Sequence, residues 1–271
     1  MLEHKVLGQD SSKEYVVLLH GIGGNSSIFF PQIKEFRKNF NIIAINLPGH
    51  KNSPSVDCYN EDFSFELASK EVLRVLDYLS IDKAHFVGIS LGSVLIHNIM
   101  SIAPERIETV VLGGAITRIN PLSRVLLTLG GMLKNMAPHM WIYSLFAYIL
   151  MPKNSHKSSR DAFIKEATEM ERKEFLGWYK ILHTVERTFE NVKEVASHIP
   201  KLYLTGAEDH MFKRYIREDA KEAGNSTLLL IPGSGHVVNI DKPKEFNHCV
   251  LSFLKEKGDI QDHELRGSSL T

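Results

Sequence analysis

Short apolar runs alternate with amphipathic stretches through most of the chain, and few folds accommodate that alternation. The runs are Val16–His20 (VVLLH), Ile42–Leu47 (IIAINL), His85–Ile89 (HFVGI), Thr109–Leu112 (TVVL), Leu202–Thr205 (LYLT) and Leu228–Ile231 (LLLI). Each is too continuously apolar to leave one side in water. Each therefore reads as a strand covered on both faces, as in a parallel sheet between layers of helices. The intervening stretches Ile28–Phe40, Phe65–Leu79, Ser93–Ala103, Phe212–Ala223 and Pro243–Lys257 repeat apolar residues at three- and four-residue spacing, the period of a helix. Pro243, following Asp241 and Lys242, marks a helix start with proline in the first turn. The expected fold class is α/β: a mostly parallel central sheet with helices on both faces.

The alternation breaks once. Between Gly114 and Ile199 the patterns are helical, at Leu122–Lys134, Met140–Met151 and Arg160–His183, with a shorter one around Asn191–Ser197. This divides the chain into a core at residues 1–114, an inserted helical cap at 115–198, the remainder of the core at 199–257 and a polar tail at 258–271. Gly130-Gly131, and the break from Pro152 to His156, are expected hinge points for a lid. Lys153, Lys157 and Arg160 read as a solvated basic face.

Composition removes several function classes. Lys+Arg and Asp+Glu both number 32, so there is no basic excess for nucleic acid. Two cysteines without a CxxC pair leave neither a disulfide framework nor a thiolate zinc site, and no metal or cofactor is expected. The most apolar run, Met140–Met151, is too short to span a bilayer, so stable membrane insertion is not expected. The opening MLEHKVLGQD lacks a signal-peptide pattern, and a cytoplasmic protein acting on a small molecule is the expectation. Oligomeric state is left open.

Strand His85–Ile89 runs into Gly88-Ile89-Ser90-Leu91-Gly92, after which a helix begins. A serine on such a turn needs strained backbone angles, and small flanking residues let the chain pass close to itself. The helix start aims free N–H groups at developing negative charge. An ordinary turn with small residues is the plainer alternative; the strand before and helix after favour a nucleophile.

A serine hydroxyl needs a base to take its proton. Of thirteen histidines, His236 follows a strand on a loop loosened by Gly233 and Gly235, at the sheet edge that carries Ser90. His85 and His97 lie in core elements, and His248 on the last helix. Asp209, after Leu202–Thr205, is the expected partner of the base. Glu208 is its main rival, and Asp241 is better placed to cap the last helix. The backbone N–H groups of Leu91 and Ile22, the latter within His20–Gly24, are the expected oxyanion donors. The apolar, Met-rich cap suits an acyl chain, with Met140, Trp141 and Phe146 as candidate substrate contacts, although covering the sheet edge accounts for most of that surface.

HGIGG at His20–Gly24, LPGH at Leu47–His50, GISLG at Gly88–Gly92, GAED at Gly206–Asp209 and GSGH at Gly233–His236 together resemble the α/β-hydrolase family over about residues 5–257. The order Ser, Asp, His is that family's order. The resemblance implies a serine hydrolase that cleaves a carboxylic ester or related acyl bond of a small, fairly apolar substrate through an acyl-enzyme. A C–C bond hydrolase or lyase on the same triad, or a non-catalytic ligand receptor, is the alternative. The sequence departs from the family pattern at Asn46, where aspartate is usual, and at Lys51, where glycine is usual. Serine at the nucleophile position argues against dehalogenases and epoxide hydrolases. The start is short, so the antiparallel hairpin that often opens this fold is expected to be reduced to His4–Leu7 and its partner.

Overall fold

A computed structural model describes residues 1–133 and 136–258. In chain order the strands are β1 (His4–Leu7), β2 (Tyr15–Leu19), β3 (Asn41–Ile45), β4 (Ala84–Ile89), β5 (Ile107–Gly113), β6 (Lys201–Gly206) and β7 (Ser226–Ile231). They form one sheet in the order β1-β3-β2-β4-β5-β6-β7. All neighbours run parallel except β1, which is antiparallel to β3. The helices are α1 (Phe30–Phe36), α2 (Phe65–Tyr78), α3 (Leu91–Ile102), α4 (Pro121–Leu133), α5 (His139–Leu150), α6 (Lys157–Ala167), α7 (Arg172–Ile181), α8 (Val185–Val195), α9 (Lys213–Glu222), α10 (Val238–Asp241) and α11 (Pro243–Lys255).

Because strand side chains alternate between faces, the continuous apolar strands feed two cores. Val17, Leu19, Ile43, Ile45 and Phe86 cluster with α2, α3 and α8. Val16, Leu18, Ile42, Ala44 and Val87 cluster with α1 and α11. Four helices, α4 to α7, follow β5, and α8 then returns to pack along α3 over the sheet. Among the described residues no helix is long and apolar enough to cross a membrane.

Several expectations are corrected. No opening hairpin forms: His4–Leu7 pairs with β3, from His4 opposite Ile45 to Leu7 opposite Ile42. The Asn41 side chain holds the intervening loop aside, accepting from Asp10 N at 3.0 Å and donating to the Asp10 and Lys13 carbonyls. The stretch Ile28–Phe40 is a 3-10 turn at Ser26–Phe29 followed by α1. Arg160–His183 is two helices, α6 and α7; buried Met170 sits in the turn between them, so the apolar period runs through the break. The short pattern at Asn191–Ser197 is the end of a longer α8. Lys134 and the tail beyond residue 258 lie outside the described residues. Arg160 is buried rather than solvated: its guanidinium donates to the Met151 carbonyl at 2.5 Å and lies over the Tyr148 ring.

Candidate active site

Strand β4, fourth in the sheet, delivers Ser90 to the turn before α3. Its backbone stands at φ 54° and ψ −113°, a conformation that non-glycine residues rarely adopt. The crossing is tight: a Cβ on Gly92 would lie 2.1 Å from the Leu19 carbonyl oxygen, and one on Gly88 2.6 Å from the Gly92 carbonyl. Both glycines are therefore required by close approach of backbone to backbone. The Ser90 N–H donates to the Gly113 carbonyl at 2.9 Å, anchoring the strained turn to β5.

The loops after β6 and β7 bring the other two expected residues to the same edge. His236 Nε2 is 2.9 Å from Ser90 Oγ, and His236 Nδ1 is 2.9 Å from Asp209 Oδ2. All three side chains are buried. Burial alone raises the Asp209 carboxyl. The His236 charge and hydrogen bond, with the Phe212 N–H and the Thr205 hydroxyl, outweigh burial and hold it below the usual carboxylate range. A carboxylate that stays ionised without water keeps the imidazole in one tautomer and compensates positive charge on it.

The rivals have other partners. Glu208 faces the inserted helices, 3.1 Å from Lys153 Nζ and 2.8 Å from His156 Nε2. Asp241 does not cap the last helix. Its Oδ2 accepts the Gly235 N–H at 2.7 Å and so braces the loop that carries His236. His85 bonds Thr109, and buried His97 lies 3.3 Å from the Tyr203 hydroxyl. His248 is exposed.

The glycine loop after β2 is held by two histidines, His20 and His50, that no sequence pattern marks as functional on its own. The Leu47 N–H donates to His20 Nε2 at 3.0 Å, and the Gly23 N–H to His50 Nε2 at 2.9 Å. Each ring's Nδ1 lies against a backbone carbonyl, that of Gly21 or Pro48, so both are neutral rings protonated at Nδ1. Burial lowers both, His50 to about 4 and His20 well below its ordinary value. The Tyr143 hydroxyl, from α5, donates to the Ile22 carbonyl at 2.8 Å. The only signal for His50 in the sequence is its place in LPGH.

Asn46 explains its own departure from the family pattern. Its Oδ1 accepts the Ser26 N–H at 2.7 Å, while its Nδ2 donates to Glu3 at 2.7 Å, a donor that aspartate lacks. Lys51 occupies the left-handed region at φ 52° and pairs with Glu169 of the inserted helices.

Over Ser90 lies a cavity of about 150 Å³, lined by Ile22, Leu91, Ile116, Ile119, Leu126, Phe146, Phe163 and Met211 among others, with Ser90 and His236 at its floor. A void of this size takes a ring or a short chain. Ser123 also lines it, with its hydroxyl oxygen closed off from the cavity and without a hydrogen-bond partner. Of the three expected substrate contacts, Phe146 lines the cavity. Trp141 does not: α5 turns Trp141, Leu145 and Tyr148 outward at i, i+4 and i+7, and Trp141 is 72% exposed. Met140 packs against neighbouring apolar side chains without reaching the cavity. Gly130 lets α4 approach α7, since a Cβ there would lie 2.6 Å from the Tyr179 hydroxyl. Among the described residues there is no cluster of three or more His, Cys, Asp or Glu that could hold a metal ion.

Residues 14–142 match the family model of the alpha/beta hydrolase fold. RutD of Pseudomonas syringae pv. syringae (strain B728a), a candidate carbamate hydrolase, is 26% identical over 253 residues, 91% of this chain and 95% of RutD. The enol-lactonase of Burkholderia xenovorans LB400 superposes with a TM-score of 0.79 at 19% identity, over 94% of this chain and 96% of that one. A carboxylesterase structure from the thaumarchaeon Nitrososphaera gargenis does so at 0.78 and 21%, over 94% of each chain.

Proposed function

Given that the chain has the α/β-hydrolase fold, we propose that it is a serine hydrolase cleaving a carboxylic ester, or a closely related acyl bond, of a small apolar substrate. The observation that carries this reading is the unbroken line of hydrogen bonds from Ser90 through His236 to Asp209, 2.9 Å at each step. In this reading His236 Nε2 takes the proton as Ser90 Oγ attacks the acyl carbon. Asp209 holds the ring and offsets its charge. The N–H groups of Leu91 and Ile22 receive the oxyanion, the first aided by the start of α3. His236 then protonates the leaving alcohol, and water reverses the sequence to free the acid. The names of RutD and the enol-lactonase, carbamate and enol-lactone chemistry, also concern acyl carbonyls attached to a heteroatom.

The cavity above Ser90 favours a short or ring-bearing acyl group. Hydrolysis of p-nitrophenyl esters from two to sixteen carbons tests the proposal. The expected optimum lies at short chains, and Ser90→Ala is expected to lower kcat by roughly 10³-fold or more. Turnover in Ser90→Ala equal to wild type would remove Ser90 from the role. No turnover of any ester by folded wild type would leave the triad to another reaction.

A further inference from the structure

His156 is buried, yet it belongs to the turn Asn154–His156 between α5 and α6, not to the sheet body. Its Nε2 lies 2.8 Å from Glu208 Oε2, one residue before Asp209. Its ring also lies against Gly235, one residue before His236: a Cβ on Gly235 would come within 2.9–3.0 Å of three ring atoms. Below this seat the two loops are joined, because the Glu208 N–H donates to the Ser234 carbonyl at 2.9 Å. His156 Nδ1 is buried without a partner, so the Nε2–H tautomer is the one the surroundings satisfy. Lys153 and Ser155 reach the same carboxylate from the solvent side, at 3.1 and 3.3 Å.

We propose that His156 is a positioning residue, which seats the inserted helices on the loops of Asp209 and His236 and thereby sets the register of that pair. The inference rests on the triad reading above, but its geometry does not. Gly235 has to be glycine because the imidazole occupies the space of its side chain. Glu208 has to carry an acceptor because the N–H of that imidazole has nowhere else to go. The inserted helices thus hold the alignment of the pair as well as roofing the cavity, so seating the turn and aligning the histidine are one event.

The test compares His156→Phe, which fills the seat without the hydrogen bond, with His156→Gln, whose amide can still donate to Glu208. Lys153→Ala, which removes only the exposed ion pair, is the control. His156→Phe is expected to lower kcat for the best ester roughly 10- to 100-fold, with KM within about twofold, as a small misplacement of a reacting group does. His156→Gln is expected to recover most of that loss, and Lys153→Ala to stay within about twofold of wild type. The second readout is the proton NMR signal of His236 Nδ1–H, which needs no turnover. It should move or broaden in His156→Phe and remain near its wild-type position in the other two variants. If wild type hydrolyses no ester, this signal still decides the positioning role. An unmoved signal in a folded His156→Phe protein, or equal loss of kcat in the Phe and Gln variants, would overturn the proposal.

Discussion

Asn46 shows how one atom can reverse the meaning of a motif position. The family pattern carries aspartate there, but this chain places the Glu3 carboxylate 2.7 Å from the Asn46 amide nitrogen. Glu3 is also bonded by both nitrogens of Asn52, and its carboxyl is held below the usual range. Asn46→Asp would keep the acceptor for Ser26 N but set two carboxylates against each other. It is expected to destabilise the fold by roughly 1–3 kcal/mol, although it restores the commoner residue. Denaturant titration checks this, and an unchanged midpoint would sink it. At Ser90 the reverse holds: the strained φ of 54° is what the motif foretells, because only that turn lifts a side chain out of a buried strand.

Individual elements are set by what they touch. Helix α7 buries Glu174, whose carboxylate accepts the Val56 N–H at 2.9 Å, and Trp178, whose indole donates to the Pro48 carbonyl at 2.9 Å. Both ties fasten an inserted helix to the loop after β3, the same loop whose His50 holds Gly23. The short helix α10 has a comparable task through Asp241, which grips the Gly235 N–H. Asp241→Ala frees that amide and loosens the approach to His236 without touching the cavity. The expected result is a drop in kcat of roughly tenfold with KM little changed. Measured by steady-state kinetics, a change confined to KM would contradict the bracing role.

At the scale of the whole molecule, the buried neutral histidines set an acid limit. Burial holds His97 at about 3 and His50 at about 4, against an ordinary value of 6.5. An unfolded chain would protonate both as pH falls below about 6.5, while the folded chain protonates His50 only near 4 and His97 only near 3. Stability from this source is therefore complete above pH 6.5 and lost progressively from 6.5 towards 3. The full loss is on the order of 3 kcal/mol for His50 and 5 kcal/mol for His97. Urea midpoints at pH 7.0, 5.5 and 4.5 should fall in that order. A flat profile would mean that these histidines are not held neutral.

Much of this protein was legible in its sequence because the signals are local. Continuous apolar runs such as Val16–Leu19 require cover on both faces wherever they lie, and Gly88, Ser90 and Gly92 between a strand and a helix favour a strained turn. The loop positions of Asp209 and His236 follow from the strands before them, since every parallel strand ends at the same edge. Partners are different. That β1 lies beside β3, that Asp241 holds Gly235, that His50 holds Gly23 and that Trp141 faces water depend on surfaces brought together from distant parts of the chain. Periodicity says that a side chain is buried or exposed, but not what it meets. His156 is the sharpest instance: its sequence marks only a break between helices, and only the folded chain brings it to Glu208, 52 residues away, and to the glycine beside His236.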